Sequence, residues 1–166
     1  MLGKIMRKRN LNEIQEKLEL VTSKWWFLLI FTLLGMIPPI VAKGYDPSKT
    51  GEIVMHILRN ALIKFYSPLY PVFKVIPIIL VSALVLFGNQ INRIFSLYVG
   101  INYILFAFLQ DIAITDEYGL GIVTGSFIQM IIVAFLWFWE ALVNKNDFAR
   151  ATEVNAAIKF TGSHFT

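Results

Sequence analysis

Four long apolar stretches, separated by short polar or proline-rich segments, constrain this sequence more than any other feature. They cover residues of about 25–42, 73–88, 93–113 and 120–143. An α-helix of about 20 apolar residues crosses the hydrocarbon core of a bilayer. Only 16% of the residues are charged, against about a quarter in soluble domains. We therefore predict an all-α integral membrane protein, one membrane domain over 1–166, with four transmembrane helices in an antiparallel bundle.

Three further segments are amphipathic, and we expect them to lie at the membrane surface. Residues of about 10–24 and about 147–161 repeat apolar side chains at helical spacing. Residues of about 47–66, in the loop after the first span, combine a broad apolar face with a polar stripe that carries too many charges to span. This stripe consists of Lys49, Glu52, His56, Arg59, Asn60 and Lys64.

The shortage of reactive side chains argues against an enzyme. Cysteine is absent and histidine occurs only twice, at His56 and His164, whereas zinc and haem centres need several such ligands or an axial partner. Neither a Gly-x-Ser-x-Gly nor a His-Glu-x-x-His pattern occurs, and no glycine-rich phosphate loop is present. We expect no catalytic residue, no cofactor and no metal centre.

The distribution of basic residues predicts the partner and the orientation. Lysine and arginine flank the apolar stretches instead of forming one patch, which indicates anionic lipid and not nucleic acid. With the N-terminus inside, ten of them fall in inner segments and five in outer segments. Cytoplasmic loops carry the excess of positive charge. We expect both termini in the cytoplasm and the spans in a prokaryotic plasma membrane.

Small and polar residues follow one face of the third predicted span and the start of the fourth. Small residues let helix backbones approach closely, and polar ones need protein partners inside a bilayer. A Gly-x-x-x-Gly pair in the fourth span is followed one turn later by a glutamine. The predicted helix-packing residues are Ser96, Gly100, Tyr103, Ala107, Gln110, Gly121, Gly125 and Gln129.

Four ionisable residues fall at the ends of predicted spans, where a charge is costly unless it is paired. Arg93 and Glu140 are both expected at the inner side, so they are predicted to form one ion pair. Lys74 and Asp111 are both expected at the outer side and are predicted to form a second pair. A role of these residues in proton or ion movement is the alternative.

An acidic patch is predicted at the outer end of the third and fourth spans. Asp111, Asp116 and Glu117 could together offer oxygen ligands to a hard cation. No calcium-loop spacing is present, and a hydrated turn is the favoured interpretation.

Two classes of function fit this sequence. The first is a non-catalytic structural or accessory subunit that packs through its third and fourth spans, in the lipid bilayer, against other membrane subunits or further copies of itself. The alternative is a small homo-oligomeric ion channel or transporter whose third span lines the path. A third possibility is an enzyme or cofactor-binding subunit completed by a partner chain. The lining of the channel would comprise Ser96, Asn102, Tyr103, Gln110 and Gln129.

Overall fold

The structure, a computed structural model, describes residues 2–144 and is mostly helical. Short 3-10 segments lie at Pro47–Lys49 and Leu62–Leu69. The predicted C-terminal helix over 147–161 lies outside the described residues. Within the described part, the α-helices are α1 (Leu2–Thr22), α2 (Trp25–Leu34), α3 (Thr50–Arg59), α4 (Tyr70–Phe87), α5 (Asn89–Gln110) and α6 (Thr124–Val143).

Two of the described helices, α5 and α6, are long and apolar enough to cross a membrane. At a rise of 1.5 Å per residue, α5 is about 33 Å long and α6 about 30 Å. The apolar helices in the first and second predicted spans are shorter. Helix α2 has 10 residues and is therefore only about 15 Å long. The first predicted span is thus helical over little more than half of 25–42.

A three-stranded sheet departs from the all-α prediction. Its strands are β1 (Ile40–Val41), β2 (Ile112–Thr115) and β3 (Gly119–Ile122). They are ordered β1-β3-β2, and both pairings are antiparallel. The prediction of helix to the end of 25–42, to the end of 93–113 and from the start of 120–143 is therefore wrong, because each of these ends is extended chain or strand.

Local sequence explains the hairpin of β2 and β3. Ile112, Ile114 and Thr115 are β-branched, a class that favours the pleated strand conformation. Successive side chains point to opposite faces, so Ala113 is fully buried while Ile114 is exposed. Gly119 closes the turn with φ at +69°, a conformation that glycine adopts without strain.

The predicted surface helices exist with shifted bounds. The helix expected over 10–24 begins earlier, as α1, and the helix expected over 47–66 is divided into a 3-10 turn, α3 and a second 3-10 segment. Asp46 starts this region, since its Oδ1 accepts a hydrogen bond of 2.9 Å from the Ser48 amide. The same bond holds the pKa of the Asp46 carboxyl below its ordinary value.

The chain divides into two compact units, and the division falls within α5 and α6. The first comprises the residues up to Phe65 and Tyr103–Val133. It contains the sheet and α3. The second comprises Tyr66–Asn102 and the chain from Ala134 onwards, with α4 and the remaining parts of α5 and α6. The single membrane domain over 1–166 stays a prediction.

The core of the first unit lies between α3 and the sheet. Ile53 and Ile57 on α3 are each 1% exposed, and they pack with the fully buried Ala113 of β2. Gly121 of β3 permits this contact, because a Cβ there would lie 2.9 Å from Cγ1 of Ile57. The 3-10 turn Pro47–Lys49, helix α3, the three strands and the turn between β2 and β3 form one body, which we name the sheet cap.

Replacing Ile57 by alanine should destabilise the sheet cap. Loss of a fully buried isoleucine side chain costs about 2–5 kcal/mol of unfolding free energy, since the cavity closes only in part. Met55 on the same helix is 51% exposed, so Met55→Ala is the matched control with a small effect. Denaturant unfolding of the solubilised protein checks the difference, and equal effects of the two substitutions would contradict this packing.

Candidate functional site

The start of α6 contacts the end of α2 at a glycine. A Cβ at Gly125 would lie 2.6 Å from the carbonyl oxygen of Leu34 and 2.7 Å from that of Gly35. Carbon and oxygen atoms cannot approach so closely without a shift of the backbone. Gly125 therefore sets the distance between the two segments, which is the role of small residues in helix packing within membranes.

One side chain of α6 completes the backbone hydrogen bonds at the end of α2. In a continuing α-helix the Gly35 amide would donate to the Phe31 carbonyl. Here it donates to the carbonyl of Thr32, three residues back, and so leaves the Phe31 carbonyl without its helical partner. Gln129 Nε2 donates a hydrogen bond of 2.6 Å to the Phe31 oxygen. Sequence reasoning selected Gln129 as a packing residue but did not identify this acceptor.

Gly121 and Gly125 do not form one helical face. Gly121 lies in β3 and contacts Ile57, whereas Gly125 lies in the first turn of α6. The interpretation of the pair as a helix-packing motif is therefore wrong, although each glycine separately permits a close contact.

The predicted stripe of α5 is largely turned inward. Ser96, Gly100 and Ala107 are fully buried, and Tyr103 and Gln110 are half-buried. In the second unit, Gly100 faces α6, where a Cβ would lie 2.8 Å from Cε1 of Phe138. Ser96 and Gly100 thus pack inside the chain.

A buried polar cluster in the second unit joins α5 to the end of α6. Asn92 is fully buried, and its Nδ2 donates a hydrogen bond of 3.0 Å to Asn144 Oδ1. Ser96 Oγ donates to Asn92 Oδ1 at 3.3 Å. Asn144 follows α6 with φ at +55°, the left-handed conformation common after helix ends. Sequence reasoning missed both asparagines, although an asparagine after an apolar helix is a recognised stop signal.

Asp111 is buried between α5 and β2. Asp111 is 1% exposed, and neither of its carboxylate oxygens has a hydrogen-bonding partner among residues 2–144. Its backbone carbonyl accepts a bond of 2.9 Å from the Val123 amide. Burial removes this carboxyl from water, and the Ser126 hydroxyl at the start of α6 lies near it.

Both predicted ion pairs stay predictions. Lys74 is exposed and Asp111 is buried, and they belong to different compact units. Arg93 is exposed and Glu140 is half-buried, and an ion pair between them stays a prediction.

The acidic patch is divided by a strand. Asp116 and Glu117 are exposed in the turn after β2, whereas Asp111 is buried before it. A strand rises about 3.3 Å per residue, so the four residues of β2 separate the two sites by more than about 13 Å. Among the described residues, no three His, Cys, Asp or Glu side chains are grouped to hold a metal ion. The structure does not bring the three candidate ligands together.

His56 connects the polar stripe of α3 to the hairpin turn. Its Nδ1 lies 4.0 Å from Glu117 Oε2, and its ring meets the Tyr118 ring edge-on with centroids 5.1 Å apart. A hydrogen bond to Glu117, together with the negative charges of Glu117 and Glu52, raises the pKa of the Tyr118 hydroxyl. The sequence pattern placed His56 on the stripe but gave no sign of these partners.

Comparison of the chain with protein-family models, with curated proteins and with solved structures found no match.

An added methyl group at Gly125 should force α2 and α6 apart. Overpacking of this kind costs about 1–3 kcal/mol of unfolding free energy, so Gly125→Ala should lower the unfolding midpoint. Gly51→Ala is the control, because a Cβ at Gly51 meets open space and alanine favours a helix by about 0.5–1 kcal/mol over glycine. Unchanged stability of Gly125→Ala would disprove the close contact.

Proposed function

We propose that the protein is an integral membrane protein whose four apolar segments cross the bilayer, and that it serves as a non-catalytic structural or accessory subunit of a larger membrane assembly. The distribution of apolar side chains carries this proposal. Trp25, Ile78, Leu86 and Phe135, on α2, α4 and α6, are each between 67% and 74% exposed. Large apolar patches of this kind mark contact with lipid or with other proteins.

The exposed apolar side chains accompany buried polar ones, which is the arrangement suited to a lipid environment. Asn92, Ser96 and Asp111 are buried, while Ile94, Leu97 and Ile101 on α5 are exposed. In water the same surface would leave apolar area unprotected and would gain nothing from burying amide and hydroxyl groups.

The first segment is proposed to cross as helix α2 followed by the non-helical chain that leads to β1, and β1 lies with the sheet cap at the outer surface. Irregular backbone at membrane depth is tolerated only where protein covers it. The contacts of Gly125 with the carbonyls of Leu34 and Gly35, and of Gln129 with the carbonyl of Phe31, supply such cover. Helix α4, at about 27 Å, is long enough to cross a bilayer with slight thinning.

The orientation is proposed from the charge distribution. The termini lie in the cytoplasm of a prokaryotic cell, with α1 on the inner surface and the sheet cap outside. Exposed apolar residues Ile14, Leu20 and Val21 on α1 are available to lipid. Charged residues of the sheet cap, among them Lys49, Asp116 and Glu117, are exposed as expected in water.

The packing of α5 favours the role of an accessory subunit over that of an ion channel. A path along this helix would need Ser96 and its neighbours to face water, yet Ser96 is buried and bonded to Asn92, and Gly100 is closed by Phe138. Beyond Arg93, the exposed side chains of α5 are apolar, and apolar side chains suit lipid or other membrane helices.

Single-cysteine labelling should reveal the proposed orientation, since the chain has no cysteine of its own. Ser23 and Ser48 are both exposed, before α2 and at the start of the sheet cap. In intact cells an impermeant maleimide should label Ser48→Cys. Ser23→Cys should react only after the membrane is opened. Labelling of both positions in intact cells, or of Ser23→Cys alone, would contradict this topology.

A second cysteine test distinguishes the subunit from the channel. Because Ser96 is fully buried, Ser96→Cys should resist a hydrophilic thiol reagent that reacts with Ser48→Cys in the same membranes. Gentle purification should then recover the chain with unrelated membrane subunits. Rapid modification of Ser96→Cys in a symmetric homo-oligomer that conducts ions would establish the channel instead.

A further inference from the structure

Asp111 carries a carboxyl group that is buried without a counter-charge among the described residues. Its residue is 1% exposed, and both carboxylate oxygens lack hydrogen-bonding partners among residues 2–144. An ionised carboxylate in such a place loses its hydration without gaining a counter-charge, and the group responds by taking up a proton.

Among the described residues, no charged group acts on the Asp111 carboxyl. On α6 the nearby group is the Ser126 hydroxyl, which is neutral. On α3 the charged side chains of Glu52 and Arg59 are exposed, and His56 faces Glu117 and Tyr118 at the hairpin turn. The core of the sheet cap, which the chain enters at Ala113, is apolar and also contains Ile53 and Ile57. Helix α5 ends on the uncharged Gln110, and the charges of Asp116 and Glu117 lie beyond β2.

We propose that Asp111 is a proton-binding site, in which the carboxyl group is neutral at pH 7 and lies beside the Ser126 hydroxyl where the end of α5 meets the start of α6. Release of the proton to water leaves a carboxylate at the same position. The charge then favours separation of the sheet cap from the first turn of α6, because separation restores hydration. This site goes beyond the proposed subunit role and is independent of it.

The direction of the pH effect follows from the two states of the chain. An unfolded chain releases the proton near the ordinary aspartate pKa of about 3.9, whereas the folded chain retains it to higher pH. The folded state binds more protons between these two pKa values, so its stability is fully present at low pH and falls as the pH rises through this window.

Thermal unfolding of three proteins in one detergent, from pH 4.5 to pH 8, tests the site. The unfolding midpoint of Asp111→Asn should exceed that of the wild type by a gap that grows with pH. The gap should approach about 3–5 °C for each unit by which the folded pKa exceeds the unfolded one. Asp116→Asn is the control, since Asp116 is exposed and the substitution removes the same charge. Its curve should run parallel to that of the wild type.

Infrared spectroscopy supplies a readout that does not depend on any variant folding. At pH 7 the wild type should show the carbonyl band of a protonated carboxylic acid, and Asp111→Asn should lack it. Absence of this band in the wild type would overturn the proposal. A constant gap between Asp111→Asn and the wild type, or a wild type that is the more stable at pH 8, would also overturn it.

A bound alkali cation is the remaining possibility for an ionised Asp111, and salt exchange separates it from a proton. If sodium chloride raises the unfolding midpoint of the wild type at pH 8 relative to choline chloride, and Asp111→Asn shows no such effect, the site holds sodium and the proton proposal is wrong. Equal midpoints in the two salts would support the proton.

Discussion

In hydrocarbon every backbone amide and carbonyl needs a partner within the protein, and the proposed membrane fold of this chain depends on that constraint. Helices meet that need internally, and α5 and α6 do so over a length that matches a bilayer. The first segment meets it differently, since its helix stops at Leu34. Gln129 then bonds to the Phe31 carbonyl, and Gly125 lets the carbonyls of Leu34 and Gly35 approach α6. Loss of either contact would leave a polar backbone group without its partner, which is costly wherever water cannot replace it.

The side chains show a related pattern, in which apolar groups are exposed and polar groups are buried and hydrogen-bonded. Exposed positions on the apolar helices carry residues such as Ile78 and Phe135, while the amide of Asn92 is buried and bonded to Asn144. Among the described residues the exceptions are the Asp111 carboxylate and the Tyr98 hydroxyl, which are buried without a hydrogen-bonding partner. Polar groups that bond within the chain, together with exposed apolar side chains, suit contact with lipid and with neighbouring membrane helices.

The sequence predicted the helices better than it predicted the segments that join them. Periodicity and hydropathy identified α4, α5 and α6, because long apolar runs leave few alternatives. The hairpin of β2 and β3 was missed because its short apolar strands have the same composition as the apolar helices on either side of them. The β-branched run of Ile112, Ile114 and Thr115 before the turn at Gly119 was the available signal. The burial of Asp111 without a hydrogen-bonding partner could not be predicted, since it depends on helix rotation and on where α5 stops. The contact of Gln129 depends likewise on the early end of α2.

Helix α5 is proposed to cross the bilayer with one apolar face toward lipid or a membrane partner. Nitroxide labels placed singly at Ile94, Leu97, Ile101 and Phe108, all exposed on α5, test it in reconstituted vesicles. Collisions with lipid-soluble oxygen and with a water-soluble nickel chelate should change in opposite directions along the helix. We expect the oxygen effect to be greatest, and the nickel effect smallest, at the central positions Leu97 and Ile101. Uniform access of nickel to all four labels would show that this face is in water and would contradict the membrane account.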